Sequence, residues 1–128
     1  MAILEVKNLK KNFENLKVID AISFSVEKGE FLILFGPNGC GKTTILKLIA
    51  GLIEPTSGDI LLHGENLKKK LNHNHKIGFV FQEDRLFPWK TVYENLDIVL
   101  EHFFSNEKER QAIIKKYINL VGLWNFKN

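Results

Sequence analysis

The chain has 128 residues, 45% of them hydrophobic and 26% charged, and a formal net charge of +3. These values are typical of a globular protein that forms one domain or part of one. No uncharged apolar run approaches the roughly 18 residues of a membrane-spanning helix. The single Cys40 excludes an internal disulfide, and the mild, dispersed charge predicts no nucleic-acid partner.

The first elements predict a β-rich opening. Residues 3–6 and 18–26 read as strands, and residues 22–26 alternate between apolar residues and serine, which is typical of a half-buried strand. A turn at residues 28–30 leads into residues 31–35, the continuous apolar run Phe-Leu-Ile-Leu-Phe. Such a run predicts a buried strand.

The residues after this run carry the most informative motif of the chain. They fit the pattern G-x-x-x-x-G-K-[ST] of a phosphate-binding loop. Residues 45–51 then predict a mostly buried helix that ends near Gly51. A glycine-rich turn with no ligand is the alternative, but the strand before the motif and the helix after it favour a phosphate site. The residues of the motif are Gly36, Pro37, Asn38, Gly39, Cys40, Gly41, Lys42, Thr43 and Thr44.

Each residue type in this loop has a physical reason. Glycines permit backbone conformations and close approaches that a side chain blocks, so successive backbone N–H groups can surround phosphate oxygens. The N terminus of the following helix adds a partial positive charge. The Lys42 ammonium can reach the terminal phosphates of a nucleotide, and the Thr43 hydroxyl is placed to bind Mg²⁺.

Two further strands are predicted after the loop. Residues 55–58, Pro-Thr-Ser-Gly, form a turn sequence. They precede a predicted strand over residues 59–63. Residues 77–81 predict a second buried strand, which ends at Gln82.

The last third of the chain predicts helices. Thr91 with Glu94 matches a capping box and predicts a helix over residues 92–104. Asn106 with Glu109 begins another helix, in which apolar residues at helical spacing predict one face packed in the core. These residues are Ile113, Ile114, Tyr117, Ile118 and Val121.

Together these motifs resemble the nucleotide-binding subunit of ABC transporters, over the whole chain. The loop at residues 36–44 is similar to that family's phosphate loop, and residues 48–52 and 55–58 are similar to its usual continuation. Gln82 stands where the family has its Q-loop glutamine. Phe13 stands where the family has an aromatic residue that stacks on adenine.

The resemblance implies an α/β fold. This is a P-loop NTPase core of the ABC type, with a β-rich N-terminal subdomain and the start of a helical subdomain. Residues 1–87 would hold the β-rich subdomain, the phosphate-loop core and the Q-loop, and residues 88–128 would begin the helical subdomain. The chain is thus predicted to be a partial ATP-binding domain, truncated before the family's signature motif.

The resemblance also implies roles for single residues at a Mg-ATP site. Phe13 would stack on adenine, with a buried core phenylalanine as the alternative, and Val18 would add apolar contact beside it unless it only packs in the core. Gln82 would act as a catalytic residue, because its amide can bind Mg²⁺ and orient water near the γ-phosphate. Thr43 would be the other ligand of Mg²⁺.

The segment after Gln82 implies a partner. Residues 84–89, from Asp84 to Trp89, lie where the family touches its membrane-embedded permease subunits, and exposed aromatic residues beside Arg85 suit an interface. Local packing of the loop is the alternative. The acidic-then-Pro-Trp sequence is similar to that of importers for nitrate, sulfonates and taurine. The resemblance further implies a second ATP-binding subunit, indirect coupling to a solute-binding protein, and a cytoplasmic location at the inner face of the membrane.

Some of the family's motifs have no counterpart in the 128 residues. These are the signature of the L-S-G-G-Q type, the strand that ends in Asp-Glu, and the later switch histidine. We therefore expect the chain to be the N-terminal part of a longer polypeptide or of a broken gene, which binds ATP but does not hydrolyse it efficiently alone. The alternatives are a hydrolysis-deficient regulatory module and an unrelated P-loop enzyme such as a small kinase.

Three remaining features predict little chemistry. His73 and His75 have the spacing of metal ligands, but a solvated turn is the simpler interpretation because no third ligand is nearby. The lysines at residues 68–70 predict a solvated basic face. Cys40 lacks a histidine partner, so it is expected to report on nucleotide binding rather than to act as a catalytic thiol.

Overall fold

The first two strands of the chain form a long antiparallel hairpin. In a computed structural model, which describes residues 2–68 and 77–127, β1 spans Ala2–Phe13 and β2 spans Leu16–Glu27. The two predicted opening strands are thus confirmed and are longer than expected. The hairpin extends to the pair Phe13 and Leu16, so its tip carries one aromatic and one aliphatic side chain.

Two more strands complete an antiparallel sheet. β3 (Ser57–Leu62) pairs with β1, and the short β4 (Glu65–Asn66) pairs with β3, which gives the strand order β2-β1-β3-β4. The register of β1 is interrupted near Asn8 with respect to both of its neighbours. Asn8 has a φ of 47°, and its backbone N–H donates to the Ser23 Oγ at 2.8 Å. A side-chain acceptor therefore replaces a ladder hydrogen bond at this bulge.

The core of this part of the chain lies between the sheet and one helix. α1 (Lys42–Ile49) begins inside the phosphate-loop motif and ends at a left-handed Gly51 with a φ of 70°, as the sequence predicts. Its side chain Leu48 is fully buried, whereas Leu46 is about half exposed, so the helix is less buried than expected. The buried residues of the core cluster are Val6, Leu9, Ile19, Leu48 and Ile60.

The structure divides into two compact units, Met1–Phe79 and Val80–Asn128. The second unit contains α2 (Val92–Glu101), α3 (Glu107–Leu120) and a 3₁₀ turn at Trp124–Phe126. Both predicted helices are confirmed. Of the predicted apolar stripe on α3, Ile114 and Ile118 are buried and Ile113 is half-buried. Tyr117 and Val121 are more than half exposed, so the prediction that the whole stripe packs in the core is wrong for these two. None of the helices in the described parts of the chain is long and apolar enough to cross a lipid bilayer.

Hydrogen bonds hold the ends of these two helices. Thr91 and Glu94 form the predicted capping box, and hydrogen bonds from Thr91 lower the pKa of the Glu94 carboxyl. Asn106 caps α3 by accepting from the N–H of Lys108. The Arg110 Nε donates to Asp97 at 2.7 Å, which ties α3 to α2 and raises the pKa of Arg110.

Two predicted strands are wrong. Residues 31–35 and 77–81 lie outside the strands of the structure. The first segment is largely exposed, with Phe31 at 86% and Phe35 at 99% of their full exposure, and Val80 in the second is 96% exposed. A strand forms only where a neighbouring strand accepts its backbone hydrogen bonds, and neither segment belongs to the four-stranded sheet of the described residues.

Candidate nucleotide site

The last three residues of the phosphate-loop motif form the start of α1. Gly39 and Gly41 have φ values of 82° and 99°, which glycine adopts without strain. Gly41 is the N-cap of α1, and neither a side-chain cap nor an acidic residue occupies the first turn. The first backbone N–H groups of the helix are therefore left for an outside acceptor, as an anion site requires.

The Lys42 side chain folds back onto its own loop. Its Nζ donates to the carbonyl oxygens of Gly36 at 2.8 Å and Pro37 at 2.7 Å, and it lies 3.7 Å from the Cys40 Sγ. The side chain is half-buried, whereas Cys40 and Thr43 are exposed. A positive charge is thus held at the loop. Thr43, the next residue, carries an exposed hydroxyl, an oxygen ligand of the kind that Mg²⁺ prefers, and its predicted binding of Mg²⁺ stays a prediction.

Val18 lies directly against the loop. Gly41 is buried, and a methyl group placed on it would lie 3.2 Å from the Val18 carbonyl oxygen and 3.3 Å from its Cγ1. The close approach explains why this position requires glycine, in addition to its backbone conformation. The same approach places Val18, one of the two predicted adenine contacts, beside the phosphate loop. The predicted contact of Val18 with adenine stays a prediction.

Phe13 lies at the tip of the same hairpin. It pairs with Leu16, which precedes Val18 by two residues, or about 7 Å along a strand. The residue is 45% exposed, and the Lys11 Nζ lies 4.8 Å from the centroid of its ring. Phe13 is therefore not a buried core residue, and its ring offers an aromatic surface at the tip of the hairpin that also carries Val18.

The turn sequence at residues 55–58 packs tightly against β1. Gly58 has a φ of 87°, and a methyl group placed on it would lie 2.6 Å from the Leu9 Cα. Thr56 makes two hydrogen bonds to the backbone of β1. Its N–H donates to the Lys10 carbonyl, and its Oγ1 accepts from the Asn12 N–H, both at 2.9 Å. The sequence predicted a turn at this place but not its attachment to β1.

Gln82 lies in the second unit. It is exposed and sits in a bend rather than at the end of a strand, because residues 77–81 do not form one. Its predicted binding of Mg²⁺ and its catalytic role stay predictions.

The predicted partner segment is an exposed aromatic loop. Leu86 is 72% and Trp89 is 75% exposed, and the rings of Phe87 and Trp89 lie 5.4 Å apart. The Arg85 guanidinium lies 5.0 Å from the centroid of the Phe81 ring and within 3.3 Å of Glu83. Such exposure disfavours the alternative that this loop only packs locally.

Asn95 on α2 holds this loop, a role that no sequence motif predicted. Its Oδ1 accepts from the Phe87 N–H at 2.8 Å, and its Nδ2 donates to the carbonyls of Phe87, Lys90 and Thr91 at 2.9–3.3 Å. One half-buried amide thus reaches four backbone groups of the turn before α2, and its two Nδ2 protons are shared among the three carbonyl oxygens. The pattern of an asparagine four residues after a helix cap is too common to have signalled it.

We expect Asn95→Ala to loosen the aromatic loop. Amide hydrogen exchange of Phe87 should become about two- to tenfold faster, because one net hydrogen bond contributes roughly 0.5–1.5 kcal/mol. Exchange measured by NMR would test this. Asn106→Ala removes a cap from α3 and should leave the Phe87 amide unchanged. Equal exchange of that amide in Asn95→Ala and the unmutated protein would contradict the role.

Two minor predictions fall partly or wholly outside the described residues. His73 and His75 lie there, as do Lys69 and Lys70. Lys68 is described: its Nζ donates to the Gly58 carbonyl at 2.6 Å, so this lysine contacts the start of β3.

Comparison with known proteins decides the family. The model of the family described as ABC transporter matches residues 19–128, which include the phosphate loop, α1 and the exposed aromatic loop. The chain belongs to the ABC transporter family. An uncharacterized ABC transporter ATP-binding protein of Methanocaldococcus jannaschii is 43% identical over 98% of this chain and 47% of its own length. An aliphatic sulfonates import ATP-binding protein of Bacillus cereus is 40% identical over 94% of this chain and 45% of its own length.

A solved structure confirms the predicted fold class. It is the dimeric structure of an ATP-binding cassette in a post-hydrolysis state with ADP and Pi, and it matches with a TM-score of 0.83 and 27% identity. The match covers 98% of this chain and 60% of that one. The chain therefore has the α/β fold of the N-terminal part of an ABC ATP-binding cassette. It spans about half the length of the curated relatives named above.

Proposed function

We propose that this chain is part of the ATP-binding subunit of an ABC importer and that it binds Mg-ATP. The observation that carries this proposal is the phosphate loop, where an uncapped helix N terminus, two left-handed glycines and the Lys42 ammonium occur together. These groups suit a polyphosphate, because all of them offer donors or positive charge.

The nucleotide would lie along the loop and the hairpin. Backbone N–H groups of residues 36–44 and the Lys42 ammonium would hold the phosphates, and Thr43 with Gln82 would bind Mg²⁺. Phe13 and Val18 would contact adenine. The contact between Val18 and Gly41 supports this arrangement, because it joins the base side and the phosphate side of the site within one unit.

We further propose that residues 1–128 are one part of a longer cassette. The two apolar segments at residues 31–35 and 77–81 would then pair with strands supplied by the rest of the domain, and residues 1–87 and 88–128 would belong to different subdomains. The exposure of Phe31 and Phe35 and the partial coverage of the relatives support this. On its own the chain would bind ATP without efficient hydrolysis.

The exposed loop at residues 84–89 is the proposed contact with permease subunits at the inner face of the membrane. Its aromatic pair and Arg85 are residue types that anchor interfaces, and Asn95 presents them on a fixed turn. A second cassette would complete the ATP site, and a solute-binding protein would act through the permease. The similarity to an aliphatic sulfonates import ATP-binding protein supports the assignment to an importer.

Protection of Cys40 tests the nucleotide site directly. The thiol is exposed and lies within the phosphate loop, so bound Mg-ATP should cover it and slow its alkylation by iodoacetamide at least about fivefold at saturation. As the chain has one cysteine, mass spectrometry of the intact protein measures the rate. Mg²⁺ with adenosine, which lacks phosphates, is the matched control and should give little protection. Equal rates with and without Mg-ATP would refute nucleotide binding at this loop.

A further inference from the structure

Lys11 supports the ring of Phe13 from one side. The two residues are separated by one position on β1, so their side chains point to the same face of the strand. The Lys11 Nζ lies 4.8 Å from the ring centroid and donates to the Glu54 carbonyl oxygen at 2.7 Å. The ammonium is thus held between an aromatic face and a backbone acceptor.

The acceptor belongs to the segment that follows α1. Glu54 immediately precedes the turn whose Thr56 bonds to the backbone of Lys10 and Asn12. Three hydrogen bonds therefore join the end of β1 to the segment between α1 and β3. The Glu54 carbonyl that holds Lys11 thus lies a few residues after α1. Since α1 begins at the phosphate loop, one stretch of chain would hold both the Phe13 ring and the phosphates.

A ring in this position needs such support. Phe13 stands next to the hairpin turn, where Glu14, Asn15 and Leu16 are all exposed, so few apolar neighbours restrain it. An unsupported side chain must be ordered when a ligand stacks on it, which weakens binding. A cation over one face orders the ring beforehand and leaves the opposite face for one flat partner.

We infer that Lys11 is a positioning residue for the base of the nucleotide. It acts through Phe13 and has no contact with the phosphates. The inference rests on the proposed function, because it assumes that Phe13 stacks on adenine. It assigns to Lys11 a part in distinguishing a nucleotide from a bare polyphosphate.

The test compares Mg-ATP with inorganic tripolyphosphate, which lacks a base, by isothermal titration calorimetry. Lys11→Met keeps the aliphatic stem and removes the ammonium. It should raise the Kd for Mg-ATP about two- to fivefold, the range expected for an exposed cation–π contact, and leave the Kd for tripolyphosphate unchanged. Lys10→Met removes the same charge from the neighbouring exposed position and should change neither value. Lys11→Arg should restore the affinity for Mg-ATP.

A double-mutant cycle identifies the route through the ring. In a Phe13→Ala background, Lys11→Met should have no further effect on Mg-ATP binding. An unchanged Kd for Mg-ATP in Lys11→Met would overturn the inference, as would an equal loss of affinity for both ligands, which would indicate a general charge effect. If the unmutated protein binds neither ligand, the phosphate site itself fails and the inference fails with it. If the unmutated protein binds both ligands and Phe13→Ala leaves the Kd for Mg-ATP unchanged, the inference and the proposed adenine contact fail while the phosphate site stands.

Discussion

Replacing Lys42 by alanine should weaken binding of Mg-ATP at least about thirtyfold, which corresponds to about 2 kcal/mol. Lys42 brings the only full positive charge within residues 36–44. Truncating a charged group that pairs with a partly buried anion costs about 2–5 kcal/mol of binding free energy. The Kd measured by calorimetry or by a fluorescent ATP analogue would test this.

Lys47→Ala is the matched control for this variant. Lys47 lies in the last turn of the same helix, so its replacement removes an equal charge at a distance from the loop and should change the Kd less than twofold. Lys42→Arg keeps the charge, but its wider head group cannot fit the same two carbonyls. Its Kd for Mg-ATP should therefore lie between those of Lys47→Ala and Lys42→Ala. Unchanged affinity in Lys42→Ala would mean that the loop does not hold phosphate.

A second large effect is expected in stability. Gly58→Ala should lower the free energy of unfolding by about 3 kcal/mol, because it combines a left-handed backbone conformation with a steric overlap. The added methyl group would lie 2.6 Å from both the Asn8 carbonyl carbon and the Leu9 Cα. Neither atom can move without disturbing the bulge of β1 and the buried Leu9 side chain. Urea denaturation followed by circular dichroism would measure the loss.

Gly64 offers a control with the same backbone conformation. Its φ is 78°, but a methyl group there would meet no atom within 4 Å. Gly64→Ala should therefore cost only the strain of a left-handed residue, about 1–2 kcal/mol. A loss in Gly58→Ala no greater than in Gly64→Ala would show that the turn moves away from β1 at little cost.

The features that were predicted correctly depend on short stretches of sequence. The glycine-rich loop that leads into α1, the Thr91 and Glu94 capping box and the glycine that ends α1 are each defined within a few consecutive residues. Their hydrogen bonds also form within those residues. Local chemistry decides such elements, so their residue types are informative without knowledge of the rest of the fold.

The features that were missed or wrong depend on distant residues. Lys11 bonds to Glu54, 43 positions away, and lysine at that place is equally compatible with a solvated side chain. The Asn8 bulge depends on β2 and β3 together. Residues 31–35 have strong strand propensity, but propensity does not supply the neighbouring strand that a ladder requires. Sequence patterns indicate what a segment can form, whereas pairing decides whether it forms.

The contacts of Lys42 also predict how the proposed nucleotide site would take up its ligand. Its ammonium already donates to the Gly36 and Pro37 carbonyls, so an incoming triphosphate must exchange these bonds for its own. Binding should then proceed in two steps: a fast encounter with the N terminus of α1, followed by a slower transfer of the ammonium. Transient-state measurements should show an observed rate that reaches a plateau at high ATP concentration, since the second step is unimolecular. The Lys42 ammonium would thus stay bound to its own loop until a phosphate, a stronger acceptor, replaces the two carbonyl oxygens.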